Sequence, residues 1–217
     1  MPKVNEKALD MIEQRHHRNR KMLLATVKSS LLSWRYVGGE GDNPQAFIIG
    51  EAPGAHEDMA LRPFVGPAGQ VLRQLMAIAG LSTTDFYDDG RDNPPTAPGN
   101  CWLTNVVKFR PRGNHTPSWF EIAPFRDLLR QEWKAVGSPS IIIPVGSVAL
   151  TAIYGYKHGM SIMKIAGTRI QLLSKEEQQL RLCPMIHPSY GIRNPEIRPT
   201  MEKHWTQLGE WLDEHHR

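Results

Sequence analysis

Short apolar runs that end in glycine, proline or a polar residue recur along this sequence, and segments with helical spacing lie between them. Runs of this kind predict buried β-strands, here over residues 46–49, 101–107, 141–145 and 181–186. Apolar residues at helical spacing predict helices over residues 70–79, 119–135, 148–154 and 198–213. Strands that alternate with helices predict an α/β domain in which helices cover a mainly parallel sheet.

Three segments fit this alternation less well. Residues 5–34 are rich in helix formers and predict one or two helices before the first strand. Residues 82–100 are rich in Pro, Gly and Asp, which favours a surface loop over an insertion that covers a site. Residues 168–173 have a hairpin-like strand pattern. We therefore predict a helical, basic N-terminal extension over residues 1–44 and one α/β domain over residues 45–217.

Polar side chains stand at the ends of three predicted strands. Glu51 follows the first strand, Asn105 lies near the end of the second and His187 follows the fourth. In an open α/β sheet, ligands bind beyond the carboxyl ends of the strands, so these side chains are expected in one crevice. Each also has a structural interpretation: Glu51 as a helix cap, Asn105 as a hydrogen-bond partner of a neighbouring loop, and His187 as a core histidine. Their convergence favours the functional interpretation.

Charge and composition narrow the class of protein only slightly. The 26 basic residues exceed the 22 acidic ones, giving a net charge of +4, which is compatible with a nucleic-acid partner without being diagnostic. Residues 13–21 concentrate positive charge, and either contact a phosphate backbone or form a solvated helix face. The two cysteines, Cys101 and Cys183, lie in apolar segments and predict buried, reduced thiols. Without a long apolar run, we expect a cytoplasmic protein that has no membrane contact.

Four spaced segments resemble motifs of the uracil-DNA glycosylase superfamily, most closely its family 4, the iron–sulfur, thermophile-type group. In chain order the matching stretches are residues 50–54 with 57–58, 63–69, 104–108 with 110–111 and 114–117, and 187–190. The resemblance implies a three-layer α/β/α fold with a central four-stranded, mainly parallel sheet. It also implies a monofunctional, monomeric DNA glycosylase that flips a pyrimidine, in the first place uracil, out of DNA and hydrolyses its N-glycosidic bond, leaving an abasic site.

The resemblance assigns roles to the residues at the strand ends. Phe64 would stack on the flipped base, and Asn105 would read its Watson–Crick edge. His187 would stabilise the charge that develops on the pyrimidine O2. Glu51 would assist the attacking water or the cationic sugar, with Glu57 as a second candidate for this catalytic role. Such charge stabilisation is usually the largest contribution to catalysis.

The resemblance also implies a base-binding loop and a DNA-binding surface around these residues. Gly50 and Ala52 would complete the base-binding site. The expected DNA contacts are backbone and hydroxyl groups that meet phosphates, two basic residues and a wedge loop that enters the duplex: Gly54, Gly66, Ser147 and Ser189; Lys108 and Arg110; and Tyr190, Ile192 and Arg193.

The sequence departs from the family pattern in two places. Phe109 and Phe125 stand where family 4 has cysteines that bind the iron–sulfur cluster, so the cluster is predicted absent, no metal is expected, and the two rings are expected to fill its volume. Leu61 and Arg62 stand where the family tends to have glycine, which leaves the substrate open.

His115 lies near the loop in which one branch of the superfamily carries a covalently reacting His, but the insertion of that branch is missing, which disfavours covalent trapping.

Other functions remain compatible with the sequence. The same chemistry could act on a larger modified pyrimidine, such as one in viral DNA. The chain could instead be an inactive module that binds DNA or an abasic site, although intact Glu51, Asn105 and His187 argue against this. A nucleotide- or phosphate-binding α/β protein is disfavoured because the sequence has neither a P-loop nor a dinucleotide fingerprint.

Overall fold

A mainly parallel sheet forms the centre of the protein. The computed structural model describes residues 4–26, 33–42, 44–81, 100–155, 159–173 and 178–215. Within these ranges the strands are β1 (Ala46–Gly50), β2 (Cys101–Asn105), β3 (Ile141–Pro144), β4 (Ile170–Leu173) and β5 (Gln179–Leu182), in the spatial order β2-β1-β3-β5-β4. The pairs β1–β2, β1–β3 and β3–β5 are parallel, and only the β4–β5 pair is antiparallel.

Helices cover both faces of this sheet. They are α1 (Glu6–Thr26), α2 (Ala55–Ala60), α3 (Pro67–Ile78), α4 (Trp119–Ile122), α5 (Arg126–Ala135), α6 (Ser147–Tyr154), α7 (Ile162–Ile165), α8 (Pro188–Arg193) and α9 (Arg198–His215). Short 3₁₀ turns occupy Arg112–Asn114, Ala123–Phe125 and Pro195–Ile197. None of the described helices combines the length and the apolarity that a membrane-spanning helix requires.

The alternation of side chains along β1 divides the core into two layers. Phe47 and Ile49 pack in a cluster with residues of α1, α5 and α6, whereas Ala46 and Ile48 pack in a second cluster with residues of α3 and α9. Strands buried on both faces explain the continuous apolar runs in the sequence. The predicted three-layer α/β/α class is confirmed.

The sheet differs from the prediction in strand number and in the end of the last parallel strand. The four predicted strands are present, and the segment with the hairpin-like pattern adds a fifth, β4, at one edge. The strand predicted over residues 181–186 is β5, which ends at Leu182. Pro184 cannot donate a ladder hydrogen bond, and pairing resumes only as an isolated bridge between Val145 and Met185.

The edge strand β2 is covered rather than exposed. β2 lies at the edge of the sheet, yet every one of its residues is buried. Glu40 forms an antiparallel bridge with Leu103 through reciprocal backbone hydrogen bonds of 2.9 and 2.8 Å. This bridge pairs part of the free edge and brings the Glu40 side chain close to the helical layer of α3.

Helix α1 packs onto the domain and shares its core. Ile12 and Leu23 belong to the same buried cluster as Phe47 and Ile49, and α1 contacts α5. The predicted division at residue 44 remains a prediction, but the extension is not detached from the body of the protein. The predicted loop over residues 82–100 lies outside the described residues except for Asn100.

The basic run on α1 is partly used for packing. His16 is fully buried, Arg15 lies 3.7 Å from the carboxylate of Asp127, and the guanidinium of Arg20 lies over the ring of Phe109 at 5.5 Å. Arg18 and Lys21 are exposed, in keeping with a solvated face for the remainder.

Candidate active site

A cavity of about 330 Å³ opens at the carboxyl ends of the parallel strands. Its lining combines carboxylate, amide, imidazole and aromatic side chains from separate elements: Glu51, Ala52, Pro53, Gly54, Glu57, Phe64, Ala68, Gly69, Asn105, Pro111, Asn114, His115, Thr116, His187, Ser189 and Arg193. The three predicted strand-end residues, Glu51, Asn105 and His187, are therefore brought together, as the topology of the sheet requires.

The floor of the cavity is built on Gly50. A side chain at this position would place Cβ 2.4 Å from Oδ1 of Asn105 and 2.5 Å from Cζ of Phe64. Both side chains therefore lie directly on the backbone of Gly50, which does not itself line the cavity. Asn105 pairs with Gly50 in the β1–β2 register, and Asn105 and Phe64 are only 3% and 6% exposed. An amide edge and an aromatic ring thus stand next to each other at the floor.

His187 is held in one orientation by the start of α8. Its Nδ1 accepts a hydrogen bond from the Ser189 backbone N–H at 3.2 Å and lies 2.7 Å from the Ser189 hydroxyl. Because Nδ1 accepts, the proton of the neutral ring is on Nε2. Burial, and then the positive charge of Arg193, lower the pKa of His187 from 6.5 to about 4. The ring is therefore neutral at pH 7 and can donate one hydrogen bond from Nε2.

Glu51 experiences opposing influences on its ionisation. Burial raises the pKa of the Glu51 carboxyl above its usual value, and a hydrogen bond with the Thr116 side chain and the electrostatic effects of His115 and Arg193 offset part of this rise. The offsetting interactions stabilise the carboxylate, the form that can accept a proton or face a positive charge. Thr116 and His115 lie in the 114–117 stretch that matched the family, but the sequence alone gave no role to Thr116.

Glu57 stabilises the backbone of the loop instead of projecting a free carboxylate. One oxygen accepts the N–H of Gly54 at 3.0 Å and the other accepts the N–H of Gly66 at 2.7 Å. Glu57 lines the cavity but is buried, with each oxygen already bonded. Its contacts assign it to positioning the starts of α2 and α3, and they correct the expectation that the amides of Gly54 and Gly66 are available for phosphates.

Two further predicted DNA contacts are used inside the protein. Lys108 is fully buried, and its ammonium lies 2.7 Å from Oε2 of Glu132. It is therefore not available to DNA, and this prediction was wrong. Ser189 lines the cavity, and its N–H and hydroxyl contact Nδ1 of His187, which orients the imidazole; its contact with a phosphate remains a prediction.

The other predicted DNA contacts lie around the mouth of the cavity or on the nearby surface. Ser147 is exposed at the start of α6, where a Cβ on the preceding Gly146 would lie 3.0 Å from Cβ of His187. Arg110 donates to Oδ1 of Asn114 at 2.9 Å. Tyr190 and Ile192 on α8 are 38% and 45% exposed, and Arg193 on the same helix is exposed and lines the cavity.

The segment that departs from the family pattern keeps a glycine-like backbone. Leu61 ends α2 with a φ of 56°, in the left-handed region that glycine favours. The side chain of Leu61 is 48% exposed, and Arg62 pairs with Glu40 at 2.9 Å. The turn thus has the conformation expected for a glycine in spite of the substitution.

The residues present do not fit an iron–sulfur cluster. Such a cluster is held by cysteine thiolates, usually four, and the chain has two cysteines. Phe109 and Phe125 are both fully buried, with ring centroids 6.3 Å apart, and His16 stacks on Phe125 at 5.1 Å. Burial raises the pKa of both cysteine thiols, that of Cys183 to about 12. In the part of the chain that is described, no group of His, Cys, Asp and Glu side chains could hold a metal ion.

An α/β/α domain with a polar cavity at its strand ends defines a broad class of ligand-binding and catalytic proteins, and sequence comparison identifies the family. A family model described as the Uracil DNA glycosylase superfamily matches residues 38–209. The chain therefore belongs to the uracil DNA glycosylase superfamily, as its motifs indicated, and is by family a DNA glycosylase.

Named relatives agree with this assignment. A type-4 uracil-DNA glycosylase of Thermotoga maritima is 33% identical over 159 residues, covering 73% of this chain and 72% of the relative. One of Sulfurisphaera tokodaii is 30% identical over 201 residues, covering 86% and 84%. A third, of Archaeoglobus fulgidus, is 28% identical over 178 residues, covering 81% of each chain. The chain is thus similar to type-4 enzymes over most of its length.

Proposed function

We propose that this protein binds DNA as a monomer, flips uracil out of it and hydrolyses the N-glycosidic bond, leaving an abasic site. The observation that carries the proposal is the meeting of Glu51, Asn105 and His187, from three strand ends, in one cavity floored by Phe64. The similarity to proteins named type-4 uracil-DNA glycosylases supports uracil as the base.

Base binding follows from the shape and polarity of the floor. A flipped base stacks on an aromatic ring and is read by hydrogen bonds to its Watson–Crick edge, which offset the cost of leaving the duplex. Phe64 supplies the ring, and the Asn105 amide supplies one acceptor and two donors. Ala52 also lines the cavity.

Bond cleavage uses charge stabilisation at both ends of the breaking bond. The electron pair of the bond between C1′ of the sugar and N1 of uracil leaves with the base, and negative charge spreads to O2. His187 donates from Nε2 to this oxygen and stays neutral, since its pKa is about 4. Glu51, as a carboxylate, faces the cationic sugar and accepts a proton from the water whose oxygen bonds to C1′. Glu57 supports this chemistry by holding the loop on which Glu51 lies.

DNA contacts surround the cavity mouth. Arg110, Ser147 and Arg193 are suited to meet the phosphate backbone, and Tyr190 with Ile192 is suited to wedge into the stack where the base leaves.

The test is an analysis by mass spectrometry of the free bases released from a panel of DNA substrates. The panel contains uracil DNA, thymine DNA and DNA with larger modified pyrimidines, each single- and double-stranded. We expect release of uracil and no release from normal DNA. Release of a modified pyrimidine and not of uracil would show that the modified pyrimidine is the base that the protein excises. Binding to DNA or to an abasic site without release of any base would make the protein a binding module and contradict the proposal.

A further inference from the structure

Phe64 holds the floor of the cavity with a strained backbone. Its φ of 55° lies in the left-handed region, which is unfavourable for residues other than glycine. The ring rests on Gly50, so its position over the cavity depends on this backbone conformation. Such a conformation persists only where surrounding contacts fix it.

Arg73 on α3 hydrogen-bonds to the backbone of this turn. The residue is 1% exposed, and its Nε donates to the carbonyl oxygen of Phe64 at 3.2 Å. Its Nη2 donates to a carboxylate oxygen of Glu40 at 2.7 Å, with the carbonyl oxygen of Pro63 at 3.5 Å. The helix approaches closely because Gly69 has no side chain: a Cβ there would lie 2.0 Å from the Phe64 carbonyl oxygen.

Glu40 connects this arginine to the sheet. Its second carboxylate oxygen accepts from Nε of Arg62 at 2.9 Å, so one carboxylate pairs with arginines on both sides of the Pro63–Phe64 peptide. The backbone of Glu40 is bonded to Leu103, two residues before Asn105 on β2. The network therefore links the aromatic floor to the strand that carries the amide.

We propose that Arg73, held by Glu40, is a positioning residue for base binding: it maintains the left-handed Phe64 and hence the fit of the flipped base between Phe64 and Asn105. This positioning role rests on the proposed function, because it concerns binding of the flipped base. A purely structural role for Arg73, in packing α3 against the sheet, would lower stability without acting through Phe64.

A double-mutant cycle separates the two roles. Single-turnover uracil release at saturating DNA, DNA affinity and melting temperature are measured for Arg73→Met, Arg73→Lys, Phe64→Leu and the Arg73→Met/Phe64→Leu double variant. Arg169→Met is the matched control, because this exposed arginine donates to the Gln207 carbonyl, away from the cavity. All rates are taken well below the melting temperature of the least stable variant.

We expect Arg73→Met to lower the single-turnover rate by about tenfold in the presence of Phe64, with a much smaller effect on DNA affinity. In the Phe64→Leu background the same change should have little further effect, and Arg73→Lys should recover part of the rate by restoring the pair with Glu40. Equal losses in both backgrounds would overturn the proposal.

Crystal structures of the wild type and Arg73→Met keep the inference testable if uracil is not released at all. That outcome would contradict the proposed function, while the backbone of Phe64 would still report on Arg73. A Phe64 that leaves the left-handed region in Arg73→Met supports the positioning role. An unchanged Phe64 φ and ring position refute it, whatever the activity.

Discussion

At the scale of single residues, the site depends on which atoms are already bonded within the protein. His187 accepts a hydrogen bond from Ser189 at one ring nitrogen and carries its proton on the other, and both oxygens of Glu57 are bonded to backbone amides. Residue type and position predicted which side chains meet, but not these bonding states. Lys108 is the clearest case in which the bonding state could not be predicted. A lysine after a strand suggests an exposed cation, but the partner that buries this one, Glu132, is 24 residues away on α5.

The ionisation of Glu51 gives a prediction at this scale. The Thr116 hydrogen bond lowers the Glu51 pKa against the effect of burial, so Thr116→Val should raise that pKa further. Since the proposed mechanism requires the Glu51 carboxylate, the acid limb of the rate–pH profile should move to higher pH, and the rates of variant and wild type should converge at alkaline pH. Single-turnover rates across the pH range measure this.

Thr206→Val is the matched control, since the Thr206 hydroxyl donates to the Glu202 carbonyl within α9. It should leave the acid limb in place. An acid limb that stays unmoved in Thr116→Val, with rates depressed equally at every pH, would show that Thr116 does not act through the ionisation of Glu51.

At the scale of elements, the strand ends were predictable and the packing of α1 was not. Apolar runs located β1, β2 and β3 because these strands are buried on both faces, and glycine or polar residues marked their ends. The basic run on α1 concealed a buried residue: His16 is fully buried against Phe125, although its neighbours are charged. A contact between elements so distant in sequence leaves no local pattern.

Buried His16 predicts how α1 responds to pH. Burial, and next the charge of Lys108, lower the His16 pKa well below 6.5, and neither ring nitrogen has a hydrogen-bond partner among the described residues. The unfolded state therefore binds a proton that the folded state does not, so stability is full above about pH 6.5 and falls as the pH drops below it. His187, with a pKa of about 4, adds a fall in the same direction between about pH 6.5 and 4.

Replacement of His16 should reduce the fall in stability at acidic pH. His16→Phe retains a ring against Phe125 and removes the unsatisfied nitrogens, so the free energy of unfolding at pH 6 should rise by about 1 kcal/mol. Urea unfolding at several pH values measures it. Ile12→Val, in the same cluster, should cost about 1 kcal/mol at every pH and keep the wild-type slope. An unchanged slope in His16→Phe would exclude His16 as the source.

At the scale of the whole molecule, the fold follows the family while one internal region differs. The α/β/α sandwich and the cavity at its strand ends were predictable from four motifs and their order. Phe109 and Phe125, which the motif resemblance matched to cluster cysteines, are packed against α1: His16 stacks on Phe125, and Arg20 lies over the ring of Phe109. Aromatic packing joins α1 to the domain at this point, which the cysteine count alone could not reveal.

The absence of an iron–sulfur cluster remains a prediction with a direct measurement. Protein purified under anaerobic conditions should contain no stoichiometric iron and lack visible absorbance, since two separated, buried thiols cannot supply the usual ligands. Chelators should change neither the melting temperature nor the rate of base release. Stoichiometric iron that chelation removes with loss of structure would contradict the prediction.

Asn105 and His187 face one cavity, and the proposed function assigns them recognition of uracil and stabilisation of the departing base. The decisive experiment is single-turnover release of free uracil from a uracil-containing oligonucleotide by Asn105→Ala, His187→Ala and the α9 control His204→Ala. The wild type and the control should release uracil at similar rates, and both site variants should fall by about a hundredfold or more. Undiminished release by Asn105→Ala and His187→Ala, with melting temperatures unchanged, would rule out these roles for the two side chains.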